Sequence, residues 1–250
     1  MAEPLLVATD LVKRFGGLVA TDHLTLEVVE GEVHALIGPN GAGKTTVVGQ
    51  LVGELRQDSG RIVFAGEDIG ALAPPARLRR GLARTFQISQ LLPDYTALEN
   101  VALAVQASQG HSFRFWRDPA RDSDLQEVAR GHLRGTGLEA LADVRTADLA
   151  HGQHKQLELA IALATKPRLL LLDEPMAGLG PTETQAMTAM LEGLKGRVSM
   201  LLIEHDMETV FALADRVTVL VSGRCIASGA PDAIRDDPAV REAYLGEGDA

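Results

Sequence analysis

The stretch HALIGPNGAGKTTVVGQLV, residues 34–52, narrows the possible folds more than any other part of the chain. An apolar run, HALIG, passes straight into a glycine-rich loop, and a helical pattern, KTTVVGQLVGEL (44–55), follows. Residues 38–45, GPNGAGKT, fit the spacing G-x-x-x-x-G-K-[ST] of a phosphate-binding loop, with strand and helix in the order that loop requires. The residue types follow from the chemistry. Glycines let successive backbone N–H groups turn inward around phosphate oxygens, and the helix that follows presents its positive end to the same anion. Gly38, Pro39, Asn40, Gly41, Ala42, Gly43, Lys44, Thr45 and Thr46 are therefore candidate nucleotide-binding residues. Lys44 is placed to reach the β- and γ-phosphates, and the Thr45 hydroxyl to ligate Mg²⁺.

The remainder of the chain reads as the α/β setting such a loop needs. RLLLLDEP (168–175) and VSMLLIEHD (198–206) are continuous apolar runs of the kind found in parallel sheets covered on both faces. Residues 5–37 read as short strands broken by turns at Gly16–Gly17 and at Glu30–Glu32. RIVFAGEDI (61–69) reads as a strand and turn, 216–228 as a hairpin turning at SGR, and 231–244 as one closing helix. From about 97 to 145 the pattern is mostly helical, interrupted by GHSFRFWRDPARD (110–122), a loop or irregular insert. Alternating strands and helices imply an α/β core, and the long helical middle implies a subdomain inserted into it.

The totals exclude some classes. A net charge of −10 argues against a nucleic-acid partner, whose binding face is normally basic. The single cysteine, Cys225, permits no disulfide within the chain and fits a reducing compartment. MAEPLLVATDLVKRF at the N-terminus has neither the basic region nor the apolar core of a signal peptide. The longest apolar runs fall far short of the roughly 20 residues that span a bilayer, so a membrane role would have to come through a partner.

Two further stretches carry chemistry. In LLLLDE (169–174) an apolar strand delivers Asp173 to its carboxyl end, where it can hold Mg²⁺, and sets Glu174 beside it to polarise an attacking water. LAHGQHKQ (149–156) has two readings. His151, His154 and Glu158 have helical spacing that would bring them near one face, as a zinc site requires. The same letters also stand 20 residues before Leu169, at the start of a helical run.

With those motifs in place the chain resembles, over essentially its whole length, the nucleotide-binding subunit of an ATP-binding cassette (ABC) transporter. The resemblance implies an α/β phosphate-loop ATPase core with a mixed sheet, an N-terminal antiparallel β subdomain and an inserted α-helical subdomain. Residues 1–87 and 168–250 would form the core with its β subdomain, and residues 88–167 the helical subdomain. It also implies that Leu149, Ala150, His151, Gly152 and Gln153 are the family's signature, typically LSGGQ, facing ATP bound to the opposite subunit. Here Ala150 stands in place of the serine and His151 in place of the first of the paired glycines. Gln87 matches the glutamine loop that senses Mg²⁺, so the implied metal residues are Thr45, Gln87 and Asp173. His205 matches the switch histidine, and Glu174, His205 and Lys44 form the implied catalytic set. AGLGPTET (177–184) matches the loop that crosses the dimer interface, with Gly180 where many relatives carry aspartate. Phe15 is the candidate to stack on adenine if it is exposed at the Gly16–Gly17 turn; a buried strand aromatic is the competing view.

A finer resemblance, carried by RFGGLVAT (14–21), GEVHALIGPNGAGKTT (31–46), GLARTFQ (81–87), LAHGQ, LLLLDEPMAGLGPTET, AYLGEG (243–248) and the 112–122 insert, is to ATPases that import branched-chain amino acids. Urea-importer and lipopolysaccharide-exporter ATPases share much of it. The implied partners are membrane permeases, a second ABC ATPase in a homo- or heterodimer and, indirectly, a solute-binding protein. The implied place is the cytoplasmic face of the membrane, and the implied cofactors are ATP and Mg²⁺. Two other classes are weighed against this. A DNA-repair or translation ABC ATPase usually carries tandem cassettes or basic surfaces, and a non-hydrolysing regulator would not need Lys44, Asp173, Glu174 and His205 intact.

Overall fold

Among the described residues three strands are buried along their entire length, and their positions organise the structure. A computed structural model describes residues 4–85, 91–108 and 123–245. These fall into two compact units, one drawn from Met1–Leu82, Arg168–Glu174 and Leu194–Ala250, the other from Ala83–Pro167 and Pro175–Gly193.

In the first unit, β1 (Pro4–Phe15) and β2 (Leu18–Val29) form an antiparallel pair. The sequence turns at Gly16–Gly17 and Glu30–Glu32 are where the strands end, but each strand is 12 residues long rather than short. The length is reached through register shifts, one of them between Ala8 and Leu11, where Asp10 takes a positive φ of 54° as an extra residue in the ladder. β4 (Ser59–Phe64) pairs with β1, and a two-residue β5 (Glu67–Asp68) turns back on it, so the order is β2-β1-β4-β5. RIVFAGEDI is thus a small hairpin, not a strand and turn.

The second sheet has the order β10-β9-β3-β8-β7-β6, with β3 (Val33–Ile37), β6 (Leu82–Arg84), β7 (Leu169–Asp173), β8 (Ser199–Ile203), β9 (Arg216–Val221) and β10 (Arg224–Gly229). β7, β8, β3 and β9 run parallel, and β10 returns antiparallel as the sequence hairpin at Ser222–Gly223. The sheet is covered on both faces. Leu36, Leu171, Leu201 and Ile203 join a core with β1, β2 and helix α1 (Lys44–Val52), while Ala35, Ile37, Val217 and Val219 pack with α7 (Met207–Leu213), α8 (Pro231–Asp236) and α9 (Pro238–Leu245). Burial on both faces is why β3, β7 and β8 are apolar without alternation.

The closing helix read from the sequence is in fact two. Asp237 has an extended backbone, φ −69° and ψ 121°, because the following Pro238 disfavours helical geometry at the residue before it; Pro238 then opens α9. Likewise α1 stops at Val52, three residues short of the helical sequence pattern. Gly53 takes φ 86° and caps it in the left-handed conformation.

The last turn of α1 is also held by Arg77, in the short helix α2 (Pro74–Leu78). This side chain is only 2% exposed and donates to the carbonyls of Gln50, Leu51, Leu72 and Gly70. A cation bonded to the final carbonyls complements the negative end of the helix.

In the second unit α3 (Ala97–Ser108), α4 (Ser123–Gly135) and α5 (His151–Ala164) pack through Val101, Val105, Ala129, Leu133, Leu157 and Ala160. Buried Asn100 ties the preceding loop down, donating to the carbonyls of Leu92 and Thr96 and to the Thr146 hydroxyl. α6 (Pro181–Glu192) belongs to the same unit. The 110–122 insert lies outside the described residues.

Arg77→Met should lower stability by about 2–4 kcal/mol, since two buried and two partly buried carbonyls lose a charged donor at once. The shift in urea midpoint at an unchanged m-value measures it.

Candidate nucleotide-binding site

The parallel strands end level with one another. Leu36 of β3 pairs with Ile203 of β8, and Ile203 pairs with Asp173 of β7, so one row across three neighbouring strands carries the starts of three loops. Those loops are Gly38–Gly43, the turn at Glu174, and Glu204–Asp206, all at the carboxyl edge where open α/β sheets bind ligands.

The phosphate-loop motif forms the first of them, and its backbone shows why glycine is required. At Gly43, φ 106°, an added Cβ would lie 2.2 Å from the carbonyl oxygen of Ala20; at Gly38, φ 153°, it would lie 2.1 Å from that of Leu220. The loop is pressed backbone to backbone against β2 and β9. The β9–β10 turn locks it further, because the Gly223 N–H donates to the Ala42 carbonyl (2.8 Å) and the Asp22 N–H to that of Gly223 (2.9 Å). Gly41, φ 77°, meets nothing within 4 Å on the side a Cβ would take, and Asn40 and Gly41 are exposed. Lys44 folds back over the loop, its Nζ donating to the carbonyls of Gly38 and Pro39, the latter at 2.9 Å. α1 begins here with no side-chain cap and no acidic residue in its first turn, and Thr45 and Thr46 lie on that turn. An anion fits this helix start, and a hydroxyl with a carboxylate is the hard oxygen set that suits Mg²⁺.

Asp173 ends β7 with 3% exposure. Glu174 follows with a φ of 50°, a conformation that is strained for a side chain other than glycine, and its N–H donates to the Ile203 carbonyl (2.9 Å). The strain turns the chain sharply at the sheet edge. His205 follows β8 with a 70% exposed side chain beside Glu204, which is fully buried; the His205 N–H donates to the Glu204 carboxylate at 3.2 Å. Asp206 caps α7, accepting from the Glu208 N–H (3.1 Å) and the Thr209 hydroxyl. The Thr209 hydroxyl, chiefly, holds the Asp206 carboxyl below its usual range, against the opposing effect of burial and with help from the backbone N–H groups. Phe15 stands at the Gly16–Gly17 turn and is 45% exposed, with Lys13 Nζ 5.5 Å from its ring centre.

In the second unit, α5 begins at His151, with Ala150 before it in extended geometry. The Gln153 side chain reaches back to accept from the Ala150 N–H (2.8 Å). The two histidines of LAHGQHKQ are used separately. His154 Nε2 donates to the Thr146 carbonyl (2.7 Å), and His151 Nε2 lies 3.4 Å from that of Ala177. Among the described residues no group of three or more His, Cys, Asp or Glu is arranged to hold a metal ion. Gln87 lies outside the described residues. Arg77, Asp206 and Glu183 carry no assigned role in the sequence reading. Asp206 was legible as an N-cap ahead of Met207–Leu213, whereas nothing separates Arg77 from the other arginines of PPARLRRGLAR.

The fold and the level strand ends define a phosphate-loop nucleotide-binding domain. The pattern of the family described as ABC transporter matches residues 21–177, and that of the branched-chain amino acid ATP-binding cassette transporter matches residues 224–250. The chain belongs to the ATP-binding cassette transporter family, as an ATPase subunit. It is 40% identical to the high-affinity branched-chain amino acid transport ATP-binding protein BraF of Pseudomonas aeruginosa, covering 99% of this chain and 100% of that one. To LivG of Escherichia coli it is 37% identical over the same shares, and to the lipopolysaccharide export ATP-binding protein LptB of Acidithiobacillus ferridurans 33% over 97% of each. The solved ADP conformation of MJ1267, an ATP-binding cassette of an ABC transporter, matches with a TM-score of 0.86 at 31% identity, covering 98% of this chain and all of that one.

Asp206→Ala should remove about 1 kcal/mol of stability near neutral pH. A carboxyl with a lowered folded-state pKa stabilises above its unfolded value and loses that contribution as the pH falls through the folded one. The gap between variant and parent, followed by thermal unfolding, should therefore close in strong acid.

Proposed function

We propose that this chain hydrolyses ATP to drive import of branched-chain or other hydrophobic amino acids. The observation that carries the ATPase part is the single row of strand ends, which sets the phosphate loop, Asp173–Glu174 and His205 side by side. The Gly38–Thr46 backbone and Lys44 take the phosphates, Phe15 offers a face to adenine, and His205 meets the γ-phosphate. Glu174 accepts a proton from water as its oxygen bonds to the γ-phosphorus; the bond from that phosphorus to the bridging oxygen breaks, leaving ADP and phosphate. Thr45, Asp173 and Gln87 would hold Mg²⁺, which supplies positive charge against the phosphate oxygens.

Leu149–Gln153 of a second ATPase subunit completes each site, so that ATP closes the dimer and hydrolysis reopens it. This is a γ-phosphate switch of a general kind. None of the helices among the described residues is long and apolar enough to cross a membrane. Permease subunits would convert the motion to transport, with this chain on their cytoplasmic face and a solute-binding protein delivering cargo. The amino-acid cargo is supported by the names of the relatives and by the C-terminal match over residues 224–250.

Glu174→Gln should retain ATP binding while turnover falls by about a hundredfold or more, and near-normal phosphate release would remove Glu174 from its role. Lys44→Ala should lose both binding and turnover, read by nucleotide titration. For the cargo, a mild-detergent pull-down from native membranes should recover two permeases and a second cassette ATPase. Recovery of export-type permeases alone would overturn the import reading and leave the ATPase reading standing.

A further inference from the structure

Glu183 is the third residue of α6, within the loop-and-helix segment that follows Glu174. One carboxylate oxygen, Oε2, accepts from the Gly180 N–H at 2.9 Å and so caps its own helix. The other lies against a different helix. An ideal Cβ placed on Gly152, in the first turn of α5, would stand 2.4 Å from Glu183 Oε1 and 2.9 Å from its carboxyl carbon. Gly152 is buried and is not among the positive-φ residues, so its backbone does not require glycine; a methyl group there would instead have to displace the end of the Glu183 side chain. The same carboxylate that fills this space is the one that the Gly180 N–H holds.

A second contact joins the same two segments. His151 Nε2 faces the Ala177 carbonyl at 3.4 Å, and a Cβ on Gly178, φ 77°, would lie 2.9 Å from that nitrogen. The first turn of α5 and residues 177–183 are thus fitted together at two points, with glycine at each. α5 has no acidic residue in its own first turn and no hydroxyl at Ala150. The anionic group beside its start comes from α6 instead, where a carboxylate is favourable.

We propose that Glu183 is a positioning residue for the signature. Its carboxylate braces the first turn of α5 against the 177–180 turn, so that both segments reach a second subunit in one fixed geometry, and Gly152 is glycine to admit the brace. This rests on the reading that residues 149–153 complete the nucleotide site of a second subunit. The role acts through Gly152 and Gly180 and involves no contact with the reacting atoms.

The test is a double-mutant cycle on the full-length chain, measuring ATP turnover and, separately, nucleotide affinity. Glu183→Ala should lower kcat by about tenfold, since small misplacements of a positioning element have effects of that order or larger. Nucleotide affinity, set by the phosphate loop, should be unchanged. Glu183→Gln keeps an oxygen that can accept from Gly180 and should restore most of the turnover. Gly152→Ala should lower kcat as well, and Glu183→Ala added to it should cause little further loss, because both changes break one contact. Additive losses, full turnover in Glu183→Ala, or equal losses in Glu183→Ala and Glu183→Gln would each overturn the brace. Failure of the underlying ATPase reading would show elsewhere, as turnover by the parent chain that survives Lys44→Ala.

Discussion

The close approach of the phosphate loop to two carbonyl oxygens is the constraint on which the rest of the nucleotide site depends. Gly38 lies against the Leu220 carbonyl and Gly43 against that of Ala20, with no space for a single methyl group at either. Backbone contacts this close leave few alternative loop conformations. They join β3, β2 and the β9–β10 turn into one support, which the Gly223-to-Ala42 hydrogen bond closes. At the far end of α1, Arg77 bonds to the carbonyls of Gln50 and Leu51. The helix that presents its N–H groups to an anion is therefore held at both ends, by backbone contacts at one and a buried cation at the other. Preorganised donors of this kind need no rearrangement when charge arrives.

The carboxyl edge of the sheet adds the proposed reactive groups to that cradle at little structural expense. Because Leu36, Ile203 and Asp173 are in register, the residues just beyond them emerge side by side without long loops. The local strain is concentrated at Glu174, whose positive φ costs roughly 1–3 kcal/mol where a glycine would sit without strain. The backbone N–H of Glu174 is bonded to the Ile203 carbonyl, which holds the residue at that position for its proposed role as the base. The neighbouring strand end differs: Glu204 is buried while His205 is exposed, so two adjacent polar residues divide into one that supports and one that faces outward.

Much of this was legible because the chemistry is written locally. GPNGAGKT and LLLLDE each combine a motif with its flanking pattern, and burial on both faces explains the unbroken apolar strands. The hairpin at Ser222–Gly223 and the turn at Gly16–Gly17 were equally visible as turn residues. Where the sequence reading departs from the structure, a short-range rule was set against a long pattern. Pro238 splits a helix whose apolar spacing continues across it, and Gly53 stops one whose pattern runs on to Leu55. The length of β1 and β2 was hidden because a bulge at Asp10 interrupts the alternation that marks a strand. Arg77 and Glu183 were invisible for a different reason. The contacts that tie each to another helix, Arg77 to Gln50 and Leu51 and Glu183 to Gly152, lie 26–27 and 31 positions away, and no spacing rule connects them.

The departures from the common signature take on a physical meaning in this setting. Ala150 provides no hydroxyl at the start of α5, and Gly180 no carboxylate at the turn before α6. The structure supplies other groups at both places. Gln153 satisfies the Ala150 N–H, Glu183 satisfies the Gly180 N–H, and His151 extends a ring toward the Ala177 carbonyl. Each substitute binds backbone rather than reaching outward, so these residues fix the shape of the surface while leaving its contacts to N–H groups and helix ends. On the proposed reading of residues 149–153, such a surface would meet a second subunit by fit more than by individual side-chain bonds.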